Sequence, residues 1–117
     1  MCAIICIELG GVMKIKLNIK LNDTSYQVNA IKNNNEYIYK YENNIIIINK
    51  ENKTIKVKNK DSINIMYLDK KYGIINIKKQ KIKYNFDIIK LNILNNYILI
   101  IYKIDEINKF ILEEVYE

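Results

Sequence analysis

Short stretches in which apolar and polar residues alternate fill the chain from Met13 onward, and polar turns separate them. The first stretch places Ile15, Leu17 and Ile19 between lysines and asparagines. Successive side chains of a β-strand point to opposite faces, so this alternation predicts strands with one buried and one solvated face. Because the pattern recurs along the whole chain and proline is absent, we expect an all-β, antiparallel domain.

The later stretches predict a strand in each of several short segments. These cover residues 26–30, 37–41, 45–48, 54–58, 63–68, 74–78, 82–87 bending into 88–94, and 97–104. Short connections between them favour an up-and-down topology, and closure would remove the open edges that invite pairing with other chains. We therefore expect a single antiparallel up-and-down β-barrel of about eight to ten strands.

The C-terminal segment is open to two interpretations. Ile107, Phe110, Ile111 and Val115 follow helical spacing. Residues 110–116 could instead pair back on 97–104 as a last hairpin, with 105–108 as the loop. We favour the strand, because its neighbours are strands.

The turns are rich in asparagine rather than glycine. Asparagine tolerates a positive φ better than other non-glycine residues, and its amide can bond the nearby backbone. Gly73 is the only glycine after Met13. It is expected where no side chain fits, such as a bulge or a tight bend.

The segment from Met1 to Val12 differs in composition from the rest and contains both cysteines, Cys2 and Cys6. Its end, Gly-Gly-Val-Met, is what a translated ribosome-binding site before a start codon would encode. We predict that residues 1–12 are a mis-annotated or disordered leader and that 13–117 form the barrel domain. A double-glycine export leader and an extra apolar strand over residues 3–9 are the alternatives.

The formal net charge of +6 rests entirely on lysine, because the chain has no arginine. Arginine makes the bidentate contacts to phosphate and guanine, so a nucleic-acid partner is disfavoured and a solvated lysine surface is favoured. The strongest apolar run, 97–104, is too short for a membrane span. With no thiol after Cys6, the composition fits the cytoplasm.

Enzymatic chemistry has few candidates in this chain. The absence of histidine removes Ser-His-Asp and Cys-His arrangements and most zinc sites. No glycine-rich phosphate loop is present, and we expect no cofactor or metal. A carboxylate-based activity is the remaining possibility, although the candidate acids lie at or beside turns: Glu36, Glu42, Asp61, Asp69 and Asp87.

An aromatic set provides the candidate ligand-binding residues: Tyr37, Tyr39, Tyr41, Tyr67, Tyr84 and Phe86. If these rings point inward, their hydroxyls could orient a small apolar or amphipathic molecule in the barrel. Small barrels also fill their interior with side chains, and the tyrosines could equally form an exposed cross-strand ladder. The filled core or exposed ladder is the favoured alternative.

The run from Ile45 to Ile48 is apolar on both faces, as is 97–102. Each is either a strand covered on both sides or a contact in a homo-oligomer, and we favour the covered strand. Two functional classes therefore remain. One is a binder of a small hydrophobic ligand, and the other is a surface-interaction protein that forms a homo-oligomer or binds nucleic acid weakly through lysine and tyrosine.

The order of these elements resembles the bacterial YwiB-like family, a domain of unknown function with a calycin-type, lipocalin-like β-barrel. The resemblance runs from Met13 to Glu117. It rests on the aromatic strand Tyr37-Ile38-Tyr39-Lys40-Tyr41-Glu42, on 54–57, on 65–67, on Tyr72-Gly73 with the strand that follows, and on the closing hairpin. Lys70-Lys71 departs from the family pattern before Tyr-Gly. The resemblance implies a barrel but supplies no activity or catalytic residue.

Overall fold

The computed structural model describes residues 12–115, which form eleven β-strands and no helix. The strands are β1 (Met13–Leu21), β2 (Thr24–Lys32), β3 (Glu36–Tyr41), β4 (Asn44–Asn49), β5 (Thr54–Lys58), β6 (Ser62–Tyr67), β7 (Tyr72–Ile77), β8 (Gln80–Asn85), β9 (Asp87–Ile93), β10 (Tyr97–Ile104) and β11 (Glu106–Val115). The described residues contain no helix long and apolar enough to cross a membrane. The predicted leader, apart from Val12, lies outside them.

All eleven strands belong to one antiparallel sheet in which chain neighbours pair, except β8 and β9, and β1 also pairs with β11. The sheet order begins with β8 and ends with β9, so the sheet curls into a nearly closed barrel shape. The predicted all-β antiparallel fold is confirmed. The predicted number of strands is wrong, because there are eleven rather than eight to ten.

The extra strand arises from the bend at Phe86. β8 and β9 run in the same direction, because ten antiparallel pairings separate them along the sheet. Only Phe86 lies between them, so they are two halves of one bent segment, as predicted for 82–94. The first half pairs with β7 and the second with β10. The buried Phe86 ring packs in the core at the bend.

The core consists of the side chains that alternate toward the inner face of the sheet. On β1 these include Leu17 and Ile19, which are fully buried, whereas Lys16, Asn18 and Lys20 are exposed. One cluster of buried side chains unites strands from both ends of the chain: Leu17, Ile19, Ala30, Tyr37, Tyr39, Ile48, Leu68, Phe86, Ile98, Ile100, Phe110 and Leu112. Period-two alternation therefore defines the buried face, as the sequence predicts.

The C-terminal segment is a strand, which confirms the favoured alternative. β11 pairs with β10 from Tyr97↔Glu113 to Ile104↔Glu106 and leaves Asp105 as the turn residue. Asp105 has a φ of 60°. The hairpin is thus tighter than the four-residue loop that the sequence suggests.

Asparagine side chains bond the turn backbone, as expected. Oδ1 of Asn59 accepts the backbone N–H groups of Asp61 and Ser62, each at 2.9 Å. Positive φ angles, however, fall mainly on other residue types. Apart from Asn22, the non-glycine residues with positive φ are Glu42, Lys53, Lys71, Lys78, Lys79 and Asp105. The short turns between paired strands impose positive φ angles on residue types that rarely adopt them.

Gly73 lies within β7, and the reason for glycine is the close approach of Tyr84 on β8. A β-carbon at position 73 would collide with the Tyr84 ring, so the expectation that no side chain fits there is confirmed. Gly73 is not at a bulge. The register shift lies between Ile101 and Tyr102 on β10, where Ile89 of β9 is left without a partner.

The two doubly apolar runs differ in their surroundings. On β10, Ile98, Leu99 and Ile100 are all buried, so both faces of that strand are covered. On β4, the inward Ile48 is buried, but Ile45 and Ile47 alternate to the outer face and are partly exposed. The outer side of β4 therefore remains available for contact.

Candidate ligand groove

The six aromatic residues singled out from the sequence do not form one group. Tyr37, Tyr39 and Phe86 are buried in the core cluster, and Tyr41 and Tyr84 are partly buried against it. Tyr67 alternates to the opposite face, because its neighbour Met66 packs against the core. On that face, the ring of Tyr67 lies 5.2 Å from the ring of Tyr72.

The inward tyrosines have defined partners within the barrel. The ring of Tyr26 stacks on that of Tyr41 with centroids 3.7 Å apart, and its hydroxyl lies 3.5 Å from that of Tyr39. The hydroxyl of Tyr84 donates to Oδ1 of Asn64 at 2.7 Å. These contacts hold the rings in fixed positions, so the aromatic set contributes to packing.

A depression with a volume of about 980 Å³ lies across β11, β1, β2, β3 and β4. We call it the outer groove, because most of its lining residues belong to the outer face. It is lined by Met13, Lys14, Ile15, Lys16, Asn29, Ala30, Ile31, Ile38, Tyr39, Lys40, Ile45, Glu114 and Val115. Of the six predicted ligand-lining residues, Tyr39 alone contributes to it.

The position of the groove follows from the strand register. β2 pairs with β1 over nine residue pairs, from Met13↔Lys32 to Leu21↔Thr24, but with β3 over three, from Ala30↔Tyr39 to Lys32↔Tyr37. The part of β2 that precedes Ala30 is therefore not paired with β3. The groove spans this place, where the continuous sheet surface is interrupted.

The floor of the outer groove is apolar. Ile31 of β2 is directly opposite Ile38 of β3, and Ile45 of β4 is opposite Lys40. Ile31 is 42% exposed, although isoleucine is usually buried. The floor thus presents a branched apolar surface to solvent.

The rim of the outer groove carries three lysines. Lys14 is opposite Ile31, Lys16 is opposite Asn29, and Lys40 is opposite Ile45. All three are exposed, and none forms a salt bridge within residues 12–115. The groove therefore combines an apolar floor with free ammonium groups.

One carboxylate, Glu114, also lines the groove, but it is already engaged. Its Oε2 lies 2.6 Å from Nζ of Lys32 and accepts a hydrogen bond of the same length from the Tyr37 hydroxyl. The Glu114 side chain is 5% exposed, so this charge is neutralised in a largely water-free setting. The tyrosine hydroxyl also lies 3.1 Å from the carbonyl oxygen of Asn95.

Lys50 completes this polar cluster at one end of the barrel. Its ammonium lies 4.9 Å from the centroid of the Tyr37 ring and donates to the carbonyl of Asn95 at 3.3 Å. Burial lowers the pKa of Lys50, and the neighbouring Lys32 cation lowers it further, whereas Glu114 acts in the opposite direction. The cluster is therefore rich in positive charge but internally bonded.

Two of the candidate acids from the sequence have structural partners. Glu36 accepts hydrogen bonds from the amides of Asn33 and Asn49, and Asp69 lies 3.5 Å from Lys53. In the part of the chain that the structure describes, no three acidic, cysteine or histidine side chains converge as a metal site would require. The described acids thus form no group of three that could hold a metal ion.

The sequence did not single out the outer groove. Its isoleucines and lysines form part of ordinary strand alternation, and only the register of four pairings brings them together. The one available signal was the run Ile45–Ile48, which is apolar on both faces of its strand. No protein-family model matches the chain, and neither a curated protein nor a solved structure matches it significantly.

Proposed function

We propose that this protein binds a small amphipathic anion, an alkyl chain with a carboxylate or comparable head group, in the outer groove. The observation that carries the proposal is the apolar floor of the exposed Ile31 and the partly exposed Ile38 and Ile45, beside three lysines without a salt bridge in the described chain. Ligand sites of this kind are concave and mostly apolar, with a few polar groups that fix orientation.

The apolar part of the ligand would supply most of the binding free energy. Each buried methylene contributes about 0.8 kcal/mol, so a chain of moderate length can offset the cost of association. The groove volume of about 980 Å³ is ample for such a molecule. Longer chains should therefore bind more tightly until the floor is covered.

The head group should be anionic because Lys14, Lys16 and Lys40 surround the floor without a counter-ion in the described chain. The single acidic side chain of the lining, Glu114, is occupied by Lys32. An ammonium head group would meet repulsion at the same position. Head-group charge is therefore the property that discriminates between ligands.

The experiment is a calorimetric titration of the full chain with dodecanoate and with dodecyltrimethylammonium, both below the concentration at which they form micelles. We expect dodecanoate to bind and its affinity to fall as salt is added, because screening weakens exposed charge pairs. Equal affinity for the two probes, or no binding of either, would refute the proposal.

Matched variants locate the site. Ile31→Asp places a charge on the groove floor, whereas Ile107→Asp places it at a 64% exposed position outside the groove. Lys16→Glu reverses a rim charge, and Lys90→Glu reverses an exposed charge on β9. We expect the groove variant of each pair to lose about tenfold or more in affinity, while its control binds as the original chain does.

A second candidate is self-association through β4, which the outward Ile45 and Ile47 favour. Ile47 extends the cross-strand row Ile31–Ile38 on the outer face, so one apolar stripe crosses three strands. Light scattering over a range of protein concentrations tests this candidate. A dimer that Ile47→Lys converts to a monomer would support it, and a monomer at all concentrations would exclude it.

We further propose that the protein is a non-enzymatic, cytoplasmic member of the YwiB-like group. Support comes from the up-and-down strand order and from the Tyr72-Gly73 pair at the start of β7. Weak nucleic-acid binding is the competing surface activity. Its mark would be affinity for an oligonucleotide that falls steeply with salt.

A further inference from the structure

In the part of the chain that the structure describes, no strand pairs with the edge of β8 that faces away from β7. Within residues 12–115, β8 has a neighbouring strand, β7, on one side only. The segment bends at Phe86, and its continuation pairs with β10, so β10 does not extend alongside β8. An open strand edge presents N–H and C=O groups that can pair with another extended chain.

The backbone groups on this edge can be assigned from the turn before it. Lys78 and Lys79 have φ angles of 48° and 67° and join Ile77 to Gln80 as a two-residue loop of type I′. The N–H of Gln80 therefore points to β7, and those of Ile82 and Tyr84 follow by alternation. Phe86 continues the series, because its N–H donates to the carbonyl of Lys71 at 3.1 Å.

The N–H and C=O groups of Lys81 and Lys83 consequently point to the open side. Within residues 12–115, neither lysine forms a backbone hydrogen bond with a turn, a loop or a strand other than β7. These groups are positioned to accept an additional strand.

The side chains of β8 define what such a strand should look like. Lys81 and Lys83 lie on the outer face, and residues 78–86 contain four lysines and no carboxylate. On the inner face, Ile82 remains 48% exposed, because no strand covers it from the open side. Opposite charges and apolar pairs on facing strands each stabilise a sheet by roughly 0.2–1 kcal/mol.

We propose that the open edge of β8 is a docking site for an extended peptide segment of a partner protein, in which acidic residues alternate with apolar ones. The acidic side chains would face Lys81 and Lys83, and the apolar ones would cover Ile82. The backbone of the partner would continue the sheet through the free groups of the two lysines, as in other cases of strand addition.

A second copy of this chain fits the edge less well. Antiparallel pairing of two β8 strands would bring the lysines of both copies onto the same face, and like charges on facing strands are destabilising. Charge complementarity thus favours an acidic partner over self-pairing.

The test is fluorescence anisotropy of the full chain with labelled, capped peptides as long as β8. One peptide alternates valine with glutamate, a second alternates valine with lysine, and a third contains the residues of the first in two separate blocks. We expect binding of the first peptide and at least about tenfold weaker binding of the other two. Equal binding of the three peptides, or none, would overturn the proposal.

Two variants of Lys81 separate the backbone from the charge. Lys81→Pro removes the N–H on the open side without touching a bond to β7, and proline is tolerated on edge strands. Lys81→Gln removes the charge but keeps the N–H. We expect the proline variant to lose about tenfold or more in affinity, since one buried unpaired group costs about that much. The glutamine variant should lose less, and its binding should depend less on salt.

Circular dichroism and a thermal unfolding curve of each variant establish that the fold is intact. Undiminished peptide binding by Lys81→Pro would show that the edge backbone is not used and would overturn the proposal. A dimer of the chain without peptide that dissociates in Lys81→Pro would equally overturn it, because a second copy would then be the occupant.

Discussion

The hydroxyl of Tyr37 on β3 lies 2.6 Å from Oε2 of Glu114 on β11. β2 and β1 separate these strands in the sheet, which is about 14 Å along a flat surface at the usual strand spacing. The bond can form because the sheet curls so that the two side chains approach each other across its concave face. It links the early and late parts of the chain at one end of the barrel.

Removing this hydroxyl should destabilise the protein. Tyr37→Phe keeps the buried ring but takes a hydrogen bond from a nearly buried carboxylate. We expect a loss of about 1.5–3 kcal/mol in the free energy of unfolding, measured by urea denaturation. Tyr72→Phe on the outer face is the control and should change stability by less than about 0.5 kcal/mol. Similar values for both variants would show that the Glu114 bond contributes little.

Adding a methyl group at Gly73 should be destabilising because of Tyr84. Gly73→Ala would force the Tyr84 ring from its place above the strand, which costs roughly 1–3 kcal/mol in a packed site. Tyr84→Ala in the same chain removes the obstacle. We therefore expect the double variant to be more stable than the sum of the two single losses predicts. Additive losses would contradict the contact.

Truncation of a buried side chain on β11 should lower the free energy of unfolding far more than truncation of an exposed one. Leu112 is 0% exposed, so Leu112→Ala should cost about 2–5 kcal/mol. Ile107, on the same strand, is 64% exposed, so Ile107→Ala should cost about 0.5 kcal/mol or less. Thermal unfolding of the two variants checks the inner and outer assignment of β11. Comparable shifts would mean that the strand faces are misassigned.

Stability should fall at alkaline pH. Burial raises the pKa of Tyr39 above its ordinary value of 10.0, and it does the same for Tyr26, Tyr84 and Tyr102. In each case the folded state holds the proton more tightly than the unfolded state. The contribution of these tyrosines to the free energy of unfolding is complete below pH 10. It is lost as the pH rises from there toward the pKa of each tyrosine in the folded state.

The effect of Lys50 on stability has the opposite dependence on pH. Its pKa is lowered in the folded state, so just below pH 10.5 the unfolded state binds more protons and stability rises with pH. With four tyrosines against one lysine, the urea midpoint should decline above pH 10. Tyr39→Phe should make this decline shallower. An unchanged pH profile for that variant would show that Tyr39 ionises in the folded protein as easily as in the unfolded chain.

The turn between β7 and β8 should be open to stabilisation. Lys78 and Lys79 both have positive φ, which asparagine and glycine adopt at lower cost. Lys78→Asn combined with Lys79→Gly should raise the free energy of unfolding by about 0.5–1 kcal/mol. The same pair of changes at Lys14 and Ile15, within β1, should lower it. A loss of stability from the turn variant would contradict the type I′ assignment.

Much of the architecture could be predicted from alternation alone. The alternating residues of β1 are buried and exposed as expected, and the C-terminal segment forms the hairpin with β10 that the favoured alternative requires. The bend near Phe86 was also predicted, but the division of this segment into two strands with different partners was not. A single change of pairing partner there divides one segment into β8 and β9.

The candidate site was less accessible to prediction. Tyr37 and Tyr67 are both tyrosines on alternating strands, yet one is buried against Glu114 and the other lies on the outer face. The pairing register decides which face of the sheet each tyrosine occupies, and a shift of the register by one residue would reverse the face. The outer groove depends in addition on where β2 separates from β3, which involves residues distant in sequence.

The amino-acid sequence specifies the class of structure and the two faces of each strand, because apolar residues two apart must share a side of an extended chain. It also determined that lysine would supply every positive charge on the surface. Long-range strand pairing establishes which isoleucines lie beside which lysines, which edge of β8 lacks a partner in the described chain, and how Glu114 comes to pair with Lys32. Those features depend on register and closure, which are set by pairings between strands rather than by local sequence.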